Sequence, residues 1–191
     1  MDSGPFDTGN LSVQQTAGGQ TVTATPWQHV TCAASALCEA EDLDHRGVST
    51  ASDHSGYQGS GFLAGFETAG DSASADVDVA DAGTYSFDIR YANAVGGDGK
   101  DETRTLSLSV DGGAGQTASF PVTADWDTWN VVPVTVQLGA GHHTVALTHG
   151  PSDSGNVNID SVALVGQGAA YPPPSARAVL DLPVRRQLRG R

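Results

Sequence analysis

The chain has 191 residues, enough for one domain of ordinary size with extensions, and it is rich in glycine and poor in charge. Its formal net charge is -13, and residues 1–176 hold four basic against 21 acidic side chains, a net of -17. That balance argues against nucleic acid or an anionic membrane as partner, suits divalent cations and secretion to the outside of the cell, and no run approaches the 18 apolar residues of a membrane span.

Residues 1–35 are polar and rich in Gly, Thr and Gln, an N-terminal extension or the end of a preceding domain in which "LSVQQTAGGQTVTATPW" offers a strand or two. No basic-then-apolar leader opens the chain. Cys32 and Cys38 are the only cysteines. They are equally compatible with a small disulfide loop and with two buried thiols, and no histidine pair beside them completes a zinc site.

From residue 36 the pattern changes to period two. "TYSFDIRYAN" puts Tyr85, Phe87, Ile89 and Tyr91 on one face. Leu106, Leu108 and Val110 alternate in the same way, as do Val134, Val136 and Leu138, then Val145 and Leu147. Val157 and Ile159 continue it until the phase slips at Ser161, before Val162 and Leu164, which predicts a bulge. One apolar face per run is the mark of antiparallel strands over a core. Short Gly/Asp-rich breaks such as "DGGAGQ" and "GPSDSGN" supply turns, and no segment shows a 3.6-residue apolar stripe. Eight to ten short strands make a β-sandwich or small barrel. Pro133 cannot donate to a ladder, so its strand belongs at an edge or bulge. Residues 167–191, with "YPPP" and five arginines, read as a Pro/Arg-rich linker or disordered tail.

Two groups carry chemistry. In "LCEAEDL", Glu39 and Glu41 share one strand face with Leu37 and Leu43, with no lysine or arginine near in sequence until Arg46. Two carboxylates on an apolar face need a counter-charge, and a hard cation such as Ca²⁺ would provide it; a solvent-facing sheet edge is the alternative. In "ADWDTWN", Trp129 opens a strand and reads as core, whereas Trp126 sits between Asp125 and Asp127 in a turn. An exposed indole beside polar groups suits the C–H face of a sugar ring.

The ordered landmarks "CEAEDL", "SGYQGSGFLAGF", "DAGTYSFDIRYAN", "FPVTADWDTW", "VQLGAGHHTVALTH" and "NVNIDSVAL" resemble carbohydrate-binding modules of families 35 and 6 over about residues 36–166. The resemblance implies an all-β, antiparallel jelly-roll β-sandwich that binds sugar without catalysis. It implies a structural calcium held by Glu39, Glu41 and Asp160, although an aromatic residue usual before the first glutamate is here Cys38. It implies a sugar site with Trp126 as platform and Asn158 as hydrogen-bonding partner, with Tyr57 and Asn93 around the same apex. The expected protein is a secreted monomer that binds plant or microbial oligo- or polysaccharide and targets a covalently attached catalytic domain, such as a glycoside hydrolase. An adhesion or structural sandwich that binds protein is the alternative. No nucleophile elbow or carboxylate pair across a cleft marks it as an enzyme, and His142, His143 and His149 read as solvated turn and strand residues.

Overall fold

Alternating apolar positions fold here into two facing sheets. The structure is a computed structural model. It describes residues 30–96 and 98–174, together with the backbone of β1 (Gln14–Ala17) and β2 (Gln20–Thr23), which pair antiparallel. Trp27 and the arginine-rich segment beyond 174 lie outside the described residues.

The remaining elements run β3 (Thr31–Ala33), β4 (Leu37–Glu39), a single 3-10 turn (Ala40–Asp42), β5 (Asp44–Arg46), β6 (Ser49–Ala51) and β7 (Phe62–Ala64). The long strands follow: β8 (Ser72–Val79), β9 (Gly83–Ala92), β10 (Arg104–Val110), β11 (Gln116–Phe120), β12 (Asn130–Leu138), β13 (Gly141–Thr148) and β14 (Asn158–Gly166). One sheet has the order β11-β10-β13-β8-β3, with β5 also on β8. The other has the order β12-β9-β14-β7-β6, with β4 also on β14. The result is an all-β jelly-roll sandwich. Among the described residues, its one parallel pairing is β3 with β8.

Inward residues from both sheets form one core, with Leu106, Leu108, Val145 and Leu147 facing Phe87, Ile89, Val136 and Leu164. Pro133 lies on β12, an edge strand, where its missing N–H costs no central ladder bond. The register of β14 against β9 shifts between Ile159 and Ser161, the bulge implied by the phase slip. Beyond it, Val162 and Leu164 are again in the core.

Three details differ from the sequence reading. The sandwich begins before residue 36, because β3 is hydrogen-bonded to β8 and Cys32 is disulfide-bonded to Cys38. Residues just past Gly166 are more than linker: Tyr171 Oη donates to Ser161 Oγ at 2.9 Å. Glu39 and Glu41 do not share a strand, since Glu39 ends β4 and Glu41 lies in the 3-10 turn.

Candidate functional site

Loops from both sheets meet at the end of the sandwich where β14 begins. They are the β6–β7, β7–β8, β9–β10, β11–β12 and β13–β14 connections. Between them lies an open cleft of about 370 Å³. Trp126, His54, Asp53, Glu67, Asn156 and Asn158 supply its polar and aromatic lining, with Phe62 and Val157 beneath. Trp126 is half-buried, and its Nε1 donates to Val95 O at 3.0 Å, which fixes the indole against the β9–β10 loop. His54 lies near-parallel to it, with ring centroids 5.9 Å apart. Gly96 leaves the indole accessible: a Cβ there would stand 3.3 Å from Trp126 Cζ2.

Asn158 is 8% exposed, and no hydrogen bond from the described residues engages its side-chain amide. An amide offers two donor hydrogens and an acceptor oxygen. Here they border the cleft beside Trp126. Two residues assigned to one site by resemblance are therefore brought together.

Asn93 and Tyr57 are not brought to the cleft. Asn93 is 1% exposed, and its Nδ2 donates to Glu102 O at 2.9 Å and Phe120 O at 2.8 Å. It ties the β9–β10 loop to the end of β11 and has no amide hydrogen left for a ligand. Tyr57 is half-buried against Phe62, with centroids 5.7 Å apart, and does not line the cleft. Trp129 is not a core residue either. It is half-buried, its Nε1 donates to Ser55 O at 2.8 Å, and the Arg90 guanidinium lies 5.4 Å over its ring. It props up the loop that carries His54. The acids beside Trp126 are equally occupied: Asp125 Oδ1 accepts from Thr128 Oγ1 and Asp127 N, and Asp127 Oδ1 accepts from Ser55 N. That last bond is the main cause of the lowered pKa of Asp127.

Arg104 was not singled out in the sequence. Its guanidinium is 1% exposed and donates to Asp98 Oδ1 at 2.7 Å and Glu102 Oε1 at 3.3 Å. It thereby pins the β9–β10 loop, the loop against which Trp126 rests. The Arg104 guanidinium holds the Asp98 carboxyl down at about 2. Arg104 shares strand phase with Leu106 and Leu108, so its inward direction was available from the sequence.

A family model, carbohydrate binding module (family 6), matches residues 39–166. The chain belongs to that family. The module is 36% identical over 133 residues to an isomaltosyltransferase of Sporosarcina globispora, covering 68% of this chain and 11% of the relative. It is 38% identical over 128 residues to a cycloisomaltooligosaccharide glucanotransferase of Niallia circulans, covering 67% of this chain and 13% of that protein. The chain thus spans little more than a tenth of either relative. A family 35 carbohydrate-binding module from an environmental isolate superposes with a TM-score of 0.58 at 28% identity, over 73% of this chain and 98% of that one. The family fold is that of a non-catalytic binding module.

The module's acidic residues fit a calcium ion in part. Glu39 and Glu41 converge beneath Gly59, where a Cβ would lie 2.4 Å from Glu41 Oε1 and 2.9 Å from Glu39 Cδ. The φ of +67° at that position also favours glycine. Glu41 Oε1 accepts from Ser60 N at 2.6 Å, Ser60 Oγ at 2.9 Å and Gly61 N at 3.2 Å. Glu41 Oε2 is buried with no hydrogen bond among the described residues, and carboxylate oxygens are the donors a hard cation takes. Asp160 has other partners. Its Oδ1 accepts from Gln58 N at 2.7 Å, and its Oδ2 accepts from Arg90 Nη1 at 2.6 Å and Ser161 Oγ at 2.7 Å. The compensating cation for this acid was missed because Arg90 lies 70 positions away in the chain. Burial pushes the Asp160 carboxyl up, against the opposing pull of Ser161, Gln58 and Arg90. Among the described residues, no three acids, histidines or cysteines gather as a metal-binding group. The two glutamates converge without Asp160, which is engaged by an arginine.

Proposed function

We propose that this module binds an oligo- or polysaccharide in the Trp126–Asn158 cleft and, outside the cell, holds an attached catalytic domain close to that polymer. The observation that carries the reading is Asn158, a mostly buried residue whose amide has no partner among the described residues and borders the same cleft as a half-exposed indole. A pyranose stacked on Trp126 would supply apolar contact, and its hydroxyls would satisfy the amide. One aromatic in an open cleft predicts weak binding, with dissociation constants from micromolar to millimolar, about 4–8 kcal/mol. Tethering makes such affinity useful by raising the local concentration of the attached enzyme.

A calcium ion held by Glu39 and Glu41 would neutralise two crowded carboxylates. The loop that covers those acids at Gln58–Gly61 also carries Asp53 and His54 into the cleft. Calcium would therefore support both the scaffold and one wall of the site. The expected signature is a melting temperature that falls with chelator and returns with Ca²⁺, because a ligand bound only by the folded chain stabilises it.

The deciding experiment is affinity electrophoresis and calorimetry of the folded chain on isomalto-, xylo- and chito-oligosaccharides. The isomalto series leads because two relatives carry that word in their names. Trp126→Ala should lose measurable binding to whichever glycan is retained. Undiminished retention of that variant would remove the cleft as the site.

A further inference from the structure

We propose that the cleft selects sugars carrying an ammonium group, such as 2-amino-2-deoxyhexose units, and that Asp53 and Glu67 are the groups that read the charge. The inference rests on the cleft being the glycan site.

Several acids around this end of the sandwich are held by partners within the fold. Asp71 Oδ2 accepts from Glu67 N and Thr68 N, Asp98 is paired with Arg104, and Asp125 and Asp127 hold turns. Asp53 and Glu67 are different: among the described residues no hydrogen bond or ion pair engages either carboxylate, both are exposed, and both line the cleft. Among the described residues, no lysine or arginine lines it with them. The one lining group able to carry positive charge is His54, whose Nδ1 stands 3.7 Å from Asp127 Oδ1.

Two uncompensated negative charges thus flank a site already built for a ring by Trp126 and the buried Asn158. A neutral hexose would meet these acids only through hydroxyls. An anionic sugar would be repelled. An ammonium on the ring would gain charge-assisted hydrogen bonds from the carboxylates and attraction from the indole face. The net charge of -17 over residues 1–176 acts in the same direction by concentrating a polycation near the surface.

Calorimetry at about pH 5.5 and low salt should compare a glucosamine tetramer with isomaltotetraose and a glucuronate tetramer. The glucosamine tetramer should bind roughly tenfold more tightly than isomaltotetraose, the scale of two exposed ion pairs. Salt at about 0.5 M should shrink the gap. Trp126→Ala should abolish it. In an Asp53→Asn, Glu67→Gln double variant, whose melting temperature verifies folding, the cationic-to-neutral affinity ratio should fall to about one. A ratio near one in the unmodified protein, or an unchanged ratio in the double variant, overturns the proposal. So does glucuronate binding that tightens on adding Ca²⁺, since the acids would then hold a bridging metal. Equal, Trp126-dependent binding of neutral and cationic tetramers removes only the charge selectivity. Trp126-independent binding of all three removes the glycan site itself.

Discussion

Asn158 pairs in register with Ala92, the chain neighbour of Asn93, yet the two asparagines have opposite fates. Asn93 uses both amide hydrogens on main-chain carbonyls and, with Arg104, forms a buried knot that sets the shape of the β9–β10 loop. Asn158 is buried to a similar degree, yet its amide borders open space. Burial alone does not separate a structural polar residue from a recognition residue. The number of engaged donors and acceptors does, because an amide whose hydrogens are already used inside the fold has none to offer a ligand, whereas one that borders open space does.

That contrast is broken most severely at Arg104. Arg104→Met keeps volume but leaves Asp98 and Glu102 without their guanidinium. We expect a loss of about 2–3 kcal/mol in urea unfolding, together with weakened glycan binding as the Trp126 support loosens. Asn93→Ala removes two donors from buried carbonyls and should cost about 2 kcal/mol of stability, visible in the same titration. An unfolding midpoint equal to the parent's in either variant would mean that the knot does not hold the loop. Asn158→Ala should show the reverse profile. Stability should change by less than about 0.5 kcal/mol, while glycan affinity falls about fivefold, near 1 kcal/mol, by calorimetry. Equal losses of stability and affinity would place Asn158 with Asn93.

The smallest effect concerns acid. Arg104 depresses the Asp98 pKa, so this pair's support is complete above the unfolded carboxylate value of about 3.9. It is lost as pH falls toward about 2. An NMR titration of the Asp98 carboxyl should show its midpoint near the low value. A midpoint close to 3.9 would mean that the Arg104 contact does not persist in solution.

The long strands were legible because their core residues are large and strictly alternate, and even the bulge before Val162 showed as a phase slip. β8 was not, because its inward positions include Ala73 and Ala75, whose small side chains write no apolar stripe. β5, β6 and β7 have three residues each, too few for any period to appear. Within the site, Trp126 was readable from its polar surroundings. The same local logic misplaced Trp129, whose neighbours Ser55, Phe62 and Arg90 come from distant loops and strands. Asn93 looked as available as Asn158 because its partners lie 9 and 27 residues away. Asp53 and Glu67 carried no signal, since an uncompensated acid is recognisable only once every nearby cation has been located.

The Cys32–Cys38 bond joins β3 of one sheet to β4 of the other, in the half of the sandwich away from the cleft. It acts like the spring of a clothes-peg: the layers are riveted at the back, so any breathing between them opens widest at the jaws that face the ligand. Amide exchange measured before and after reduction should show Thr31–Ala33 losing protection first, as the rivet is released and the rear of the peg begins to gape.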